Sequence, residues 1–207
     1  MRLGVVVGLA AEARLARPLG TVATGGGTAE GALDAAMRLA ASGGVDALVS
    51  FGLAGGLDPA LRPGTALIPA EIRDGAATFT ADPALVARFG GPTPGLYLAG
   101  TTVAATRADK SALHQATGAV AIDLETGAVI RAAIANHLPW AVLRAVCDPA
   151  GRDLPPAALI ALDRRGTIAL ARIALSVLRR PAQLPALLAL ARDAATARRT
   201  LADLAVR

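Results

Sequence analysis

The sequence predicts an α/β fold: a mixed, mostly parallel sheet flanked by helices in a single domain, with a helical extension at the C-terminus. Three observations lead there. Short apolar runs alternate with Ala-rich helical stretches along most of the chain, the pattern of a parallel sheet covered on both faces. Several of those runs end in glycine. The 207 residues suffice for one domain with a sizeable core. The expected division is a body over 1–178 and an extension over 179–207.

Residues 3–8 form a β-rich run ending in Gly8, followed by an Ala-rich helix over 10–17. A second strand at 21–24 is broken by Gly25, Gly26 and Gly27. Thr28 then opens a helix to about residue 41, with Ala32, Ala35, Ala36, Leu39 and Ala40 on one face. Residues 46–51 read as a buried strand and 52–56 as a glycine-rich turn. Short strands are expected at 65–72, 76–79 and 96–104, separated by Pro and Gly. A helix over 109–117, a strand over 119–123, a helix over 125–136 and a strand over 140–147 follow. The last quarter is helical over 157–178 and, after Pro181 and Pro185, over 184–204. Leu184, Leu187, Leu188, Ala191, Ala195 and Leu201 form the apolar stripe of the final helix, with Arg192 and Arg199 off it. Such a stripe packs on the sheet or on a second subunit, or lies at a membrane surface.

Composition narrows the classes of function. Hydrophobic residues make up 54 % of the chain, which excludes an intrinsically disordered protein. No uninterrupted apolar run reaches the about 18–20 residues of a spanning helix, because Asp46, Arg144 and Arg172 cut the best candidates. The apolar stretch ahead of Glu12 is too short for a signal peptide. With Cys147 as the one cysteine, the expectation is a cytoplasmic protein without an intramolecular disulfide. The net charge of +5 is uneven: residues 163–207 hold nine Arg against three Asp, so the body is near −1. One lysine and 2 % aromatics argue against a nucleic-acid partner.

Several chemistries lack their motif. There is no phosphate loop of the Walker type and no Ser elbow, and Glu30 stands where a dinucleotide fingerprint needs its third glycine. His114 and His137 are too isolated for a metal site and read as surface or helix-end residues. Cys147 lacks a base partner and reads as a buried strand residue. Three acids remain, each just after an apolar strand: Glu12, Glu125 and Asp148. Strand ends of an open parallel sheet converge on one crevice, where three carboxylates suit a polar ligand. Each acid also has a structural reading. Glu12 and Glu125 suit the first turn of a helix, and Asp148-Pro149 suits the start of a turn.

Four blocks, in order, resemble the nucleoside phosphorylase family: Gly8-Leu9-Ala10-Ala11-Glu12; Ser50-Phe51-Gly52-Leu53-Ala54-Gly55-Gly56-Leu57 with Pro63-Gly64; Ile122-Asp123-Leu124-Glu125-Thr126; and Arg144-Ala145-Val146-Cys147-Asp148. Within it the chain is most similar to the methylthioadenosine/S-adenosylhomocysteine nucleosidases. Its short length and its tail, Arg179-Arg180-Pro181-Ala182-Gln183-Leu184-Pro185, resemble the hopanoid-associated branch, whose reaction removes adenine from adenosylhopane.

The resemblance implies cleavage of an N-glycosidic bond. Asp148 would protonate the leaving adenine, and Glu125 would accept hydrogen bonds from the ribose hydroxyls. Leu124 would pack under the sugar, with Val103 and Ala104 framing the base. The nucleophile would be either water oriented by Glu12 or inorganic phosphate as a co-substrate. Gly8, Gly27, Gly52 and Arg144 are the candidates to hold it, with Arg14 as a further source of charge. Leu53 replaces the serine of the hydrolytic branch, and the second phosphate arginine of the phosphorolytic branch is missing. No metal or other cofactor is implied. The expected partners are a nucleoside, lipid-linked in the hopanoid reading, a second copy of the chain, and the inner face of a membrane through the C-terminal helix, which would either dock on anionic lipid or line an apolar groove for the lipid part. The alternatives are a methylthioadenosine/S-adenosylhomocysteine-type nucleosidase and a non-catalytic nucleoside-binding module.

Overall fold

The computed structural model describes residues 1–160 and 169–206. Nine strands form one sheet. β1 (Leu3–Val7) lies between β2 (Gly20–Thr24) and β3 (Ala47–Gly56), parallel to both. β3 also pairs in parallel with β9 (Trp140–Asp148), while its last two residues pair antiparallel with β8 (Ala119–Asp123). Beyond β8 come β7 (Leu96–Ala99), β5 (Glu71–Asp74) and β6 (Ala77–Thr80), and the short β4 (Ala66–Leu67) pairs with β9. The sheet is therefore mixed and mostly parallel, as expected.

The glycine-rich turn expected at 52–56 is instead the second half of β3. Gly52 and Leu53 continue the ladder opposite Arg144 and Ala145 of β9, with an irregularity between Ala54 and Gly55. Glycine persists in a strand where other groups approach the backbone closely. Here it lets one long strand leave β9 and join β8. Three further boundaries differ. The strand expected over 65–72 is two short strands, the strand over 96–104 stops at Ala99, and a helix was not anticipated at α3 (Pro83–Arg88). Asp82 starts that helix by accepting a hydrogen bond from Leu85 N (2.9 Å), with Pro83 in the first turn.

The helices follow local chemistry closely. In α1 (Ala10–Ala16) the Glu12 carboxylate accepts from Leu9 N (2.8 Å), and in α2 (Ala29–Ala41) Thr28 Oγ1 accepts from Gly31 N (3.1 Å). α4 (Arg107–Thr117) starts two residues ahead of the expected position, because Thr106 and Asp109 cap each other's backbone N–H. α5 (Thr126–Ala135) packs against α2.

Of the helix expected over 157–178, residues 161–168 lie outside the described residues. The remainder is α6 (Pro156–Leu159) and α7 (Leu170–Arg179). α8 (Leu184–Ala205) packs against β9 and α1. Its apolar residues divide. Leu201, with Ala197, Leu204 and Ala205, is buried in the main core, whereas Leu184 and Leu188 are exposed. The core is built of Val, Leu and Ala around β1, β3 and β9, with Phe51 and Trp140 as rare large groups.

Candidate active site

The carboxyl ends of β1, β3, β8 and β9 open onto one cavity of about 620 Å³. Its wall brings together Glu12, Glu125, Asp148 and Arg144, with Gly8, Gly27, Leu124, Val103 and Ala104. The three acids read from the sequence therefore converge.

Each acid is held by its own element. Glu12 sits in the first turn of α1, as its structural reading expects, and on the cavity wall. One oxygen accepts from Leu9 N and caps the helix, and the other accepts from Leu53 N at the kink of β3 (3.0 Å). Glu125 immediately precedes α5 but makes no capping bond, so its carboxylate is spent elsewhere. It accepts from Arg144 Nη1 (3.2 Å) and lies against Gly8. Any Cβ at residue 8 would collide with the Glu125 carboxylate. Asp148 ends β9, and its Oδ2 is 2.7 Å from Lys110 Nζ of α4.

Arg144 is 1 % exposed and fully engaged at its ends. Nη1 donates to Leu53 O and Glu125 (both 3.2 Å), and Nη2 donates to Ser50 Oγ (2.7 Å) and Thr126 Oγ1 (3.3 Å). It also pairs with Asp123, which Thr126 holds in turn through N–H and Oγ1 bonds. Gly52 does not line the cavity. It makes room behind it, since a Cβ there would stand 2.8 Å from Arg144 Nη1 and 2.9 Å from Glu12 Oε1. Arg14 is exposed and outside the cavity wall.

Burial shapes the protonation of these groups. It pushes Glu125 up to about 7 against the pull of Arg144, with Asp123 and Glu12 adding to the rise. Glu12 is raised for the same reason, opposed by Arg144 and by backbone N–H groups. Asp148 is raised by burial and held back by Lys110. A carboxyl raised to about 7, as Glu125 is, can hold or accept a proton near neutrality. Cys147 lies on β9 as expected, but it is half-buried and lines the cavity where a buried residue was expected. Burial pushes its thiol up to about 12, which leaves it a poor nucleophile.

The sequence reading missed Lys110, Asp123, Ser50 and Thr126. A signal for Lys110 existed: it is the chain's one lysine, on a helix where Leu113 and His114 lie one turn on. The far arm of the cavity lies where the C-terminal helix was expected to dock on lipid or to line an apolar groove. Leu154, Ala158, Leu159 and Ile173 line that arm together with Leu187, Leu190, Ala191 and Ala194 of α8. Val103 and Leu159 on the cavity wall are both half-exposed. His114 bonds Ala119 O at the end of α4, and His137 follows α5.

The sequence profile of the Phosphorylase superfamily matches residues 15–179. The chain belongs to this superfamily. No curated protein matches it at the sequence level. The fold is similar to that of the 5′-methylthioadenosine/S-adenosylhomocysteine nucleosidase of Colwellia psychrerythraea 34H in complex with adenine (TM-score 0.67, 19 % identity, 86 % of this chain and 94 % of that one). It is also similar to the Neisseria meningitidis nucleosidase of the same kind with methylthio-immucillin-A (0.68, 16 %, 99 % and 98 %). Futalosine hydrolase of Helicobacter pylori is a third such structure (0.68, 13 %, 99 % and 97 %). In this superfamily member, the acid cluster and the apolar arm form one continuous cavity.

Proposed function

We propose that the protein is a nucleosidase that hydrolyses the N-glycosidic bond of an adenine nucleoside bearing a large apolar 5′ group, with adenosylhopane the substrate it suits best. The observation that carries this reading is the two-ended cavity, acidic at the strand ends and apolar along α8. Protonated Asp148 gives its proton to the purine while the C1′–N9 bond breaks. Glu125 accepts hydrogen bonds from the ribose hydroxyls and offsets the positive charge that develops on the sugar. Glu12 takes a proton from water, whose oxygen bonds to C1′. The products are adenine and the free ribosyl compound.

Charge supports water over phosphate as the nucleophile. Arg144 is the cation beside Glu12 and Glu125, and Asp123, Glu125, Ser50 and Thr126 already occupy its ends. A phosphate dianion brought to Arg144 would face at least two carboxylates, with that guanidinium's fork already taken.

The apolar arm also supports approach to a membrane. Leu159, Ile160, Leu175, Leu178, Leu184 and Leu188 are exposed on α6, α7, α8 and the residue following α6, with Arg172, Arg179, Arg180 and Arg192 on the same elements or beside them. Among the described residues no single helix is long and apolar enough to cross a membrane, so the contact proposed is peripheral.

The test is adenine release from adenosylhopane in vesicles and from methylthioadenosine, each with and without phosphate. We expect phosphate-independent release that is faster from adenosylhopane. Asp148→Asn should lower kcat by about 10²–10⁴-fold and still bind adenine. Equal activity in that variant would exclude the mechanism, and no release from either nucleoside would exclude the enzyme.

A further inference from the structure

Lys110 is 1 % exposed, a rare state for a lysine. Its three N–H donors are all used: Asp148 Oδ2 accepts at 2.7 Å, Arg152 O at 2.7 Å and Pro149 O at 3.1 Å. The two carbonyls fix the ammonium in place. Of its three partners only the carboxylate can change charge. Among the described residues, the other oxygen of Asp148 accepts no hydrogen bond from the protein.

Arg152 and Asp153, which bear on Asp148 besides Lys110, have counter-ions of their own. Arg152 pairs with Asp193 of α8, and Asp153 pairs with Arg107 at the start of α4 (3.6 Å). From β9 itself Cys147 adjoins Asp148, and Arg198 of α8 and Glu12 of α1 bear on that cysteine. Lys110 is the cation whose counter-ion is Asp148.

The residue type carries the next step. All 20 other basic side chains of the 21 are arginines. A guanidinium is a planar fork that takes both oxygens of a carboxylate, whereas an ammonium is a point charge that takes one. We propose that Lys110 is a positioning residue for the acid: it holds Asp148 by a single oxygen, leaves the other for the departing purine, and governs when the carboxyl carries a proton. This rests on the reading of Asp148 as the acid given above.

The test is the carbon-13 titration of the Asp148 carboxyl in the full chain, assigned by its loss in Asp148→Asn. In Lys110→Met the midpoint should rise by at least one pH unit, and the alkaline limb of kcat/KM should move up with it. An unchanged midpoint in folded Lys110→Met overturns the proposal. Lys110→Arg should keep the midpoint at or below the wild-type position and lower kcat at least tenfold without raising KM comparably. Wild-type kcat in that variant would overturn single-oxygen holding. If the variants do not fold, the wild type decides: the nitrogen-15 shift of Lys110 Nζ must step at the Asp148 midpoint, and the absence of a step rejects the coupling. Absence of adenine release from the wild type would instead defeat the proposed function, because these titrations need no turnover.

Discussion

At Gly8 the absence of a side chain is what allows Glu125 its position, since a Cβ would occupy the carboxylate's place. Gly8→Ala should therefore displace Glu125 without breaking the strand. We expect a loss of about 10²-fold in kcat/KM, the usual cost of misplacing a catalytic group by about 1 Å, with Tm nearly unchanged. Glu125 itself ties stability and activity to pH with opposite signs. Its folded state holds the proton up to about pH 7, against an ordinary value of 4.5. The stabilisation is thus complete below pH 4.5 and is lost as pH rises to about 7. Activity, which needs the carboxylate, should rise over that same interval. Calorimetry should show Tm falling by roughly 3 °C or more across it, at about 2–4 °C per kcal/mol for a chain of this size. Glu125→Gln should remove Glu125's share of that slope, and a slope identical to wild type would refute the assignment.

Among the elements, α8 has two tasks along its length. Its C-terminal half belongs to the core, and its N-terminal half walls the apolar arm. Burial of Leu201 and Leu204 alone contributes about 3–6 kcal/mol, a large part of the roughly 5–15 kcal/mol that holds a domain folded. Deleting residues 181–207 would therefore unfold the body before it reported on membranes. Replacing the exposed Leu184 and Leu188 by Ser is the cleaner change. Flotation with anionic liposomes should fall for this double variant while its Tm holds, and unchanged flotation would argue against contact through α8. Within the arm, Ala194→Phe should lower kcat/KM for the bulky nucleoside by at least about tenfold and leave methylthioadenosine turnover near wild type. Equal effects on both substrates would place the 5′ group elsewhere.

For the molecule as a whole, the cavity is the product of two regions far apart in sequence. The acids come from β1–α1, β8–α5 and β9, and the apolar lining of the far arm comes from residues beyond 150. The charge imbalance seen in the sequence follows the same division. Among the described residues, Arg198 is the tail arginine on the cavity wall, and the strand-end chamber holds its carboxylates around Arg144. That distribution is what supports the proposed hydrolysis over phosphorolysis.

Local pattern by itself determined the alternation of strands and helices, the caps at Thr28 and Glu12, and the three acids at strand ends. These depend on neighbours a few residues apart, and hydrophobic periodicity records them directly. Other features were decided only by the tertiary structure. Residues 52–56 stay in a strand because β9 and β8 supply its hydrogen-bond partners. Both Nη ends of Arg144 are held by groups from β3, β8 and α5, and Lys110 reaches Asp148 across the gap between α4 and β9. Leu187 and Ala191 line a ligand cavity while Leu201 of the same stripe is core. Each of these outcomes rests on contacts between segments tens of residues apart, and no local spacing encodes which segment will supply the partner.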